Sequence, residues 1–591
     1  MHPSNPSPHH LHKRDFAADA RLLKISCIAA FIGCCGTLAA FLLLKLIRLF
    51  TNLFYYQSFS FGASSPADHH LGLWAVLLPV LGGLIVGLIA RFGSEKIRGH
   101  GIPEAIEAIL FGKSKMSAKV AILKPLSSGI VIGSGGPFGA EGPIIMTGGA
   151  IGSLIAQLFH LTAAERKTLL VAGATAGMTA VFGTPVAAVL LAVELLLFEL
   201  RPRSLLPVII ACAVAGFTRP LLLESGPLFP LHTAQAGVAA LLSCVVAGIL
   251  GGALSALMST ALYRVEDLFG KLPLHWAWWP AIGGIAVGIG GYIEPRALGV
   301  GYDVIGDLLN NYLALQVVLG LLLVKAVIWV IALGSGTSGG VLAPLLIIGA
   351  GLGVLLAPWL PGADAQLLPL ICMAAVLAGV LGAPLTSAVF AFGLTRDADA
   401  LLPLLLTTGI SYGFTVLTMK RSIMTEKIAR RGYHIYREYG VDPMERQHVD
   451  EVMTKDVETI PAGLSVAAAL DGYFGTRQIH RCYPVVDADG RLTGMIERSS
   501  FPALSSAVRP VATLFEPGPE SLVQLVQLVA LPHETCRIAA ARMATHHLER
   551  LPVVRDLQSM QLIGIISRSD LIKPSRAFFE DEQKRERLIR R

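Results

Sequence analysis

From about position 21 to about position 420 the chain passes through one apolar run after another, each some 15 to 30 residues long and nearly free of charge. LLKISCIAAFIGCCGTLAAFLLLKLI, LGLWAVLLPVLGGLIVGLIA and GVAALLSCVVAGILGGALSALMSTAL are three of them. A helix of that length crosses a hydrocarbon core of about 30 Å. In such a core every backbone N–H and C=O must be paired within the protein, so only helices or a closed barrel survive. Continuous apolar runs point to helices, a dozen or more, several of them short. The chain is 53% hydrophobic and only 15% charged, too apolar for a soluble globule of this size. From about position 426 onward the composition becomes that of a soluble protein.

The flanks set the orientation. Residues 1–20, MHPSNPSPHHLHKRDFAADA, read as a disordered polar tail rather than a signal peptide. Lys13 and Arg14 before the first apolar run, and Lys420 and Arg421 after the last, predict that both termini are cytoplasmic. The net charge of +7 suits a membrane surface, and no clustered basic face argues for nucleic acid. The eight cysteines include no CxxC and no pair with metal-ligand spacing, so they are expected as buried thiols and no metal is expected. His9, His10 and His12 belong to the flexible tail.

Two segments repeat each other. Lys124, Gly133-Ser134-Gly135, Gly139 and Pro143 recur as Lys325, Gly334-Ser335-Gly336, Gly340 and Pro344, all at an offset of 201. Gly149-Ala150-Ile151-Gly152 is answered by Ala350-Gly351-Leu352-Gly353, and Gly183-Thr184-Pro185 by Gly382-Ala383-Pro384. The membrane part is therefore one unit used twice. Duplicated membrane halves with Gly/Pro-interrupted segments at matching places mark transporters whose site lies between broken helices. Interrupted backbone at membrane depth persists only where it is buried in protein or lines a cavity.

A helix that starts inside the membrane presents unpaired N–H groups and about half a positive charge. Glycine lets backbone close on a ligand there, and proline fits the first turn. Together these make an anion site. Three such starts are expected, at 99–104 (GHGIPE), 139–143 (GAEGP) and 340–344 (GVLAP). Few acids lie inside the apolar runs, which argues against a cation path. Glu141 is one of the few. A carboxylate at an anion site occupies it in the anion's place and leaves when protonated or displaced.

These motifs resemble those of the CLC family of chloride channels and proton-coupled chloride antiporters. The family's sequences Gly-Ser-Gly-Ile-Pro, Gly-Arg/Lys-Glu-Gly-Pro and Gly-x-Phe-x-Pro are met in order by GHGIP, GAEGP and GVLAP. The resemblance covers the first 420 residues. It implies an all-α polytopic membrane domain with an inverted repeat over 21–425, working as a homodimer with one pore per subunit in a bacterial-type inner (plasma) membrane. It casts Glu141 as the external gate, and His100, Gly101, Ile102, Gly139, Ala140, Gly142, Val341 and Leu342 as the anion-binding set, the last two through backbone N–H. A tyrosine usually closes the inner side of that site. Tyr433 is the nearest match, with Tyr436 or none as alternatives.

The departures matter as much. His100 replaces a serine whose hydroxyl touches the central anion. The imidazole either donates to the anion or turns away and leaves backbone donors alone. Ala140 replaces a basic residue, Leu342 a phenylalanine, and Gly393 an acid common at that place. Lys124 and Lys325 add positive field along the pore unless they are paired or snorkelling. Antiporters of the family carry an inner glutamate directly after another Glu, and here that pair reads Glu194-Leu195. An apolar residue there is usual in the channel branch. Glu194 and Glu199 remain proton-path candidates, although on a regular helix they fall on different sides. The function expected is passive chloride conduction, with chloride/proton antiport through another inner acid or water path as the alternative.

After a linker at 426–449, two segments resemble CBS domains, α/β modules that pair within a chain. The first lies within 450–506 and the second within 530–575; 576–591 is a charged C-terminal tail. The adenosine-nucleotide pattern Gly-h-x-Ser/Thr-x-x-Asp is met once, from Gly564 to Asp570. Asp570 would hold ribose hydroxyls, and Ser567 a phosphate or ribose oxygen. The first module has Glu497 and Ser500 there instead. No cofactor is required, and the pair either takes one nucleotide or serves structurally. An enzyme is not expected: a membrane metalloprotease needs HExxH, and the lone His533-Glu534 has no second histidine. A magnesium transporter would need carboxylates along the pore, and a fluoride-specific relative would differ at the first and third motifs.

Overall fold

The membrane part consists of two runs of eight helices in a computed structural model that describes residues 20–362, 364–433, 442–475, 480–497, 510–515 and 528–573. The expected tails at 1–20 (but for Ala20) and 576–591, together with Tyr436 and Ser500, lie outside the described residues. The first run comprises α1 (Arg21–Tyr56), α2 (Leu77–Phe92), α3 (Ile102–Leu110) and α4 (Ala118–Gly133). It continues through α5 (Glu141–Gln157), α6 (Ala163–Phe182), α7 (Pro185–Leu191) and α8 (Pro202–Leu222). The second comprises α9 (Ala240–Gly270), α10 (Trp279–Ile293), α11 (Tyr302–Leu309) and α12 (Leu315–Gly334). It ends with α13 (Leu342–Leu356), α14 (Leu367–Leu381), α15 (Pro384–Thr395) and α16 (Leu401–Thr418). A short helix, α17 (Ile423–Arg430), follows.

The repeat is visible in the turns. Gly183 closes α6 in the left-handed conformation (φ 69°) and Pro185 opens α7; Gly382 (φ 67°) and Pro384 do the same between α14 and α15. Small residues then bring the halves together. A Cβ on Gly83 would strike the Pro280 carbonyl, and one on Gly284 the Pro79 carbonyl at 2.5 Å. Gly87 meets Ala277 and Gly288 meets Val76 in the same reciprocal way. Contacts that advance along α2 while they retreat along α10 make the two helices antiparallel about a pseudo-twofold axis, which is an inverted repeat. Close approach of this kind gives membrane helices their packing energy where no hydrophobic drive separates helix from lipid.

The unit Phe16–Arg437 extends past position 425, where the linker was expected to follow. The reason is ionic: Lys427 Nζ lies 2.7 Å from Glu104, and Arg431 pairs with Glu104 at 3.3 Å and also with Glu107. These contacts fasten α17 to α3.

The second unit, Glu438–Arg591, is built from paired modules. After α18 (Pro443–Arg446) and α19 (Val449–Val452), β1 (Ile460–Pro461) leads to α20 (Val466–Phe474), β2 (Cys482–Val486) and β3 (Leu492–Glu497). β1 pairs parallel with β2, and β2 antiparallel with β3, Val485 opposite Gly494. The second module has α21 (Cys536–Thr545), β4 (Arg550–Val554) and β5 (Leu562–Ser567), with Leu551 opposite Ile566. The two hairpins share a register shift at matching places, Val485/Val486 and Val553/Val554. The apolar side of α19 is not spent on its own module. Val449 and Val452 join Ala539, Met543, Leu551 and Ile566 in the second core, and Thr454 bridges Ile565.

Candidate anion-binding site

The start of α5 and the start of α13 face each other across the repeat. The Gly340 N–H donates to the Gly139 carbonyl at 3.0 Å, and the two glycines form an isolated antiparallel bridge. Nothing larger fits. A Cβ on Gly340 would lie 2.5 Å from Oε2 of Glu141 and against the Gly139 carbonyl. A Cβ on Gly142 would collide with the carbonyl of His100 and stand 3.4 Å from Cα of Gly340. One built on Gly101, itself at φ 88°, would meet the Gly142 carbonyl at 3.0 Å. The three segments 99–103, 139–143 and 340–344 therefore meet at one place.

Glu141 sits at that place, fully buried. Its Oε1 accepts the Ala343 N–H at 3.1 Å, and its Oε2 has no hydrogen-bond partner. The carboxylate thus rests on the first turn of α13, where free N–H groups and the helix dipole favour negative charge. Ala140, Ile102, Val341 and Leu342 are buried around it. His100 has not turned out to solvent: it is 3% exposed, and neither ring nitrogen has a hydrogen-bond partner.

The two lysines do the same work in each half. Lys124 Nζ donates to the carbonyls of Ile97 and Gly99, both at 2.8 Å, and to Ser338 Oγ at 2.9 Å. Lys325 Nζ donates to the carbonyls of Ala297 and Gly299 at 2.8 and 3.0 Å. Both are fully buried, so they are clamps rather than snorkelling side chains. They also expose a fourth helix start that the sequence reading missed. Gly301 (φ 75°) precedes α11 as Gly101 precedes α3, an offset of 200, and Tyr302 stands where Ile102 stands. GVGYD lacks the proline that marks GHGIP, and its signals were the shared Gly-x-Gly and the spacing to Lys325.

Other candidates lie further out. Tyr433 is 43% exposed and stacks on Phe111, centroids 4.3 Å apart, just past the far end of α3 from Gly101. It lines a cavity of 1070 Å³ together with Glu104, Lys427 and Arg431 and is not brought to the meeting point of the three motifs. Among the described residues a second cavity, of 850 Å³, is lined by Lys45, Arg48, Arg219, Arg296 and Tyr302. The two cavities touch opposite ends of α4, at Ser117 and Ile132. Glu104, passed over in the sequence, is 7% exposed and holds α17 through the ion pairs described above.

The regular helix assumed through Glu194 and Glu199 is not there. Residues 192–197 form a π-helical turn and Phe198 adopts φ 53°, which ends it. This wider turn aims Glu194 at the start of α15. Its carboxylate accepts the Thr386 N–H at 2.7 Å and hydroxyl at 2.6 Å, and the Leu385 N–H at 3.3 Å. Glu199 accepts from Ser204 at 2.7 Å and lies 3.7 Å from Lys167. Leu195 is fully buried.

In the second unit, Oδ2 of Asp570 accepts from the Ser567 N–H (2.9 Å) and hydroxyl (2.6 Å), and Oδ1 pairs with Lys573 at 2.6 Å. Burial pushes the Asp570 carboxyl up, but Lys573 and Ser567 outweigh it and hold it below its ordinary value. Carboxylate, hydroxyl and ammonium suit the ribose and phosphate of a nucleotide, although the three are closed on one another. Glu497 ends β3 opposite Cys482, as Ser567 ends β5 opposite Arg550.

Comparison with known proteins identifies the family and the fold. Residues 82–416 match the family described as voltage gated chloride channel, and residues 449–501 and 527–576 match the CBS domain. A Salmonella dublin protein named voltage-gated ClC-type chloride channel ClcB is 30% identical over 427 residues, covering 70% of this chain and 98% of that protein. A solved slow cyanobacterial Cl-/H+ antiporter superposes with a TM-score of 0.61 at 21% identity, covering 70% of this chain and 99% of that one. A eukaryotic CLC transporter does so at 0.58 and 18% identity, covering 93% and 98%. At these identities the structural likeness is one of fold.

Proposed function

The chain belongs to the voltage-gated chloride channel (CLC) family and carries a C-terminal CBS pair, and on that premise we propose that it conducts chloride passively through a pore gated by Glu141. The observation that carries this reading is the Glu141 carboxylate resting on the Ala343 N–H, between Gly139 and Gly340. A carboxylate held on a helix start is a stand-in for a permeant anion. When chloride competes for the N–H groups, or a proton removes the charge, the side chain leaves and the path opens. His100, Gly101, Ile102, Ala140, Gly142, Val341 and Leu342 line the site in this reading, and chloride follows it between the two cavities. Tyr433 then flanks an entrance instead of closing the site.

Passive conduction is favoured over exchange by Leu195, which is apolar and buried, and by the engagement of both neighbouring acids. A proton relay needs a carboxyl free to load and unload. The working form in this reading is a homodimer in the bacterial inner membrane with both termini cytoplasmic, and the CBS pair takes at most one nucleotide, at Ser567 and Asp570. The test is the reversal potential of the purified protein in liposomes under opposed chloride and proton gradients. It should follow the chloride gradient alone; a shift with the pH gradient establishes exchange and removes the channel reading.

A further inference from the structure

Tyr302 opens α11, the helix start that answers Ile102 across the repeat. Its ring packs edge-on against Phe182 and tilted against Phe229, with centroids 6.3 Å apart in each case. Its hydroxyl is buried and has no hydrogen-bond partner, and the same holds for Oε2 of Glu141. A buried donor and a buried acceptor left unpaired are costly, so each calls for a partner or a role in the working protein. Both lie beside the first turns of α13. Tyr302 lies within electrostatic reach of Glu141. A Cβ on the preceding Gly301 would stand 2.8 Å from Ile347, one turn along α13 from the Ala343 N–H that holds the other carboxylate oxygen. Tyr302 also lines the 850 Å³ cavity with Arg48, Arg219 and Arg296, so a carboxylate moving toward the hydroxyl moves toward that cavity.

We propose that Tyr302 is a positioning residue for the gate, its hydroxyl donating to the Glu141 carboxylate once an anion has displaced it from α13. The proposal rests on the gating reading of Glu141 and adds where the side chain goes. In the seated state Oε1 has its N–H donor. In the displaced state that donor belongs to the anion, and the carboxylate would be buried without one. The tyrosine hydroxyl supplies the replacement, so displacement does not strand a charge. The charged groups around Tyr302 among the described residues are Glu141 on α5, Lys325 on α12, Asp303 on α11 and, around the cavity, Lys45 and Arg48 on α1, Arg219 on α8, Glu224 and Arg296.

Tyr302→Phe removes the hydroxyl and keeps the ring against Phe182 and Phe229. Chloride efflux from liposomes at neutral pH should fall about tenfold, the weight of one hydrogen bond to a charged group. The deficit should shrink as the pH is lowered, because a protonated carboxyl no longer needs the donor. In a Glu141→Ala background the same substitution should change nothing. Unchanged efflux in the Tyr302→Phe single variant overturns the proposal and leaves the gate standing. An equal loss in both backgrounds overturns it too, since the hydroxyl would then act on the anion path. If Glu141→Ala itself leaves efflux unaltered, the gating reading falls first and takes this proposal with it.

Discussion

Gly139 and Gly340, 201 positions apart in the sequence, are hydrogen-bonded to each other: the Gly340 N–H donates to the Gly139 carbonyl at 3.0 Å. They are the same position in the two halves of the repeat, so the pseudo-twofold axis relating α2 to α10 passes close to this bond. The consequence is chemical. Duplicating a half and inverting it places two helix starts nose to nose, and positive charge from both falls on one spot. Only one half carries an acid there, Glu141, while its counterpart is Leu342. The asymmetry leaves the site a single carboxylate.

Gly340→Ala tests how tightly the two starts must meet. The added Cβ would press on the Gly139 carbonyl and come within 2.5 Å of Oε2 of Glu141. Backbone cannot yield as a side-chain tip does, so the loops must part. Chloride efflux should drop at least about tenfold, as expected where a small displacement misaligns a site, while the protein still purifies as a folded species. Gly306→Ala, where a Cβ meets nothing within 4 Å, is the control and should leave efflux unchanged.

Glu141→Gln removes the charge and keeps the shape. A neutral amide holds less firmly to the N–H groups of α13 than a carboxylate does. Passive efflux should rise at neutral pH. Wild-type efflux should itself increase as the pH falls, since protonation releases the carboxyl, and the Gln variant should lose that dependence. Efflux measured from pH 7.5 down to pH 4.5 checks both; a variant that conducts less than wild type would remove Glu141 as the gate.

Lys325→Met keeps the apolar stem and deletes the ammonium. The carbonyls of Ala297 and Gly299 lose their donor inside the protein, at about 1–3 kcal/mol each for a stranded buried group. The fold should weaken by about 2–6 kcal/mol and the start of α11 should loosen. Lys124→Met should cost at least as much, because Ser338 loses a partner as well. Thermal midpoints in detergent rank the two variants against wild type.

The lysines show how far the sequence could be read. Their repetition at one offset was legible, and so were the glycine and proline spacings that start α3, α5 and α13, because each of those signals is local. Their targets were not, since a lysine in an apolar run says nothing about which carbonyls it reaches. The start of α11 escaped for a related reason: GVGYD shares the lysine clamp of GHGIP but not its proline, the strongest local mark of a helix start. Glu194 failed differently. Placing it on a regular helix used an angle of 100° per residue, and a π-helical turn is invisible to that arithmetic.

Glu194→Gln separates a cap from a proton relay. The carboxylate takes two N–H groups and a hydroxyl at the first turn of α15. A glutamine has one carbonyl oxygen to offer in place of two carboxylate oxygens. Losing such a cap costs about 0.5–2 kcal/mol, so the thermal midpoint should fall. The reversal potential under a proton gradient should stay where it is in wild type. A change in reversal potential without a change in stability would return Glu194 to the proton path.

Asp570 lets one carboxyl in the CBS pair be tested for both pH dependence and nucleotide binding. Burial raises it, yet the Lys573 ammonium and the Ser567 N–H and hydroxyl hold it below the roughly 3.9 of an unfolded aspartate. A carboxyl whose folded value is depressed adds stability above the unfolded value and loses it as the pH falls through the folded one. Asp570→Asn should therefore loosen β5 and the turn after it at pH 7, and the gap to wild type should close below about pH 4. Hydrogen exchange over residues 562–573 in the intact protein follows this directly. The same measurement with adenosine monophosphate tests the second role. A nucleotide must break into the Ser567–Asp570–Lys573 cluster, so binding should slow exchange in wild type and leave Asp570→Asn unaffected. If the nucleotide protects neither protein, the cluster is structural and the pair works without a ligand.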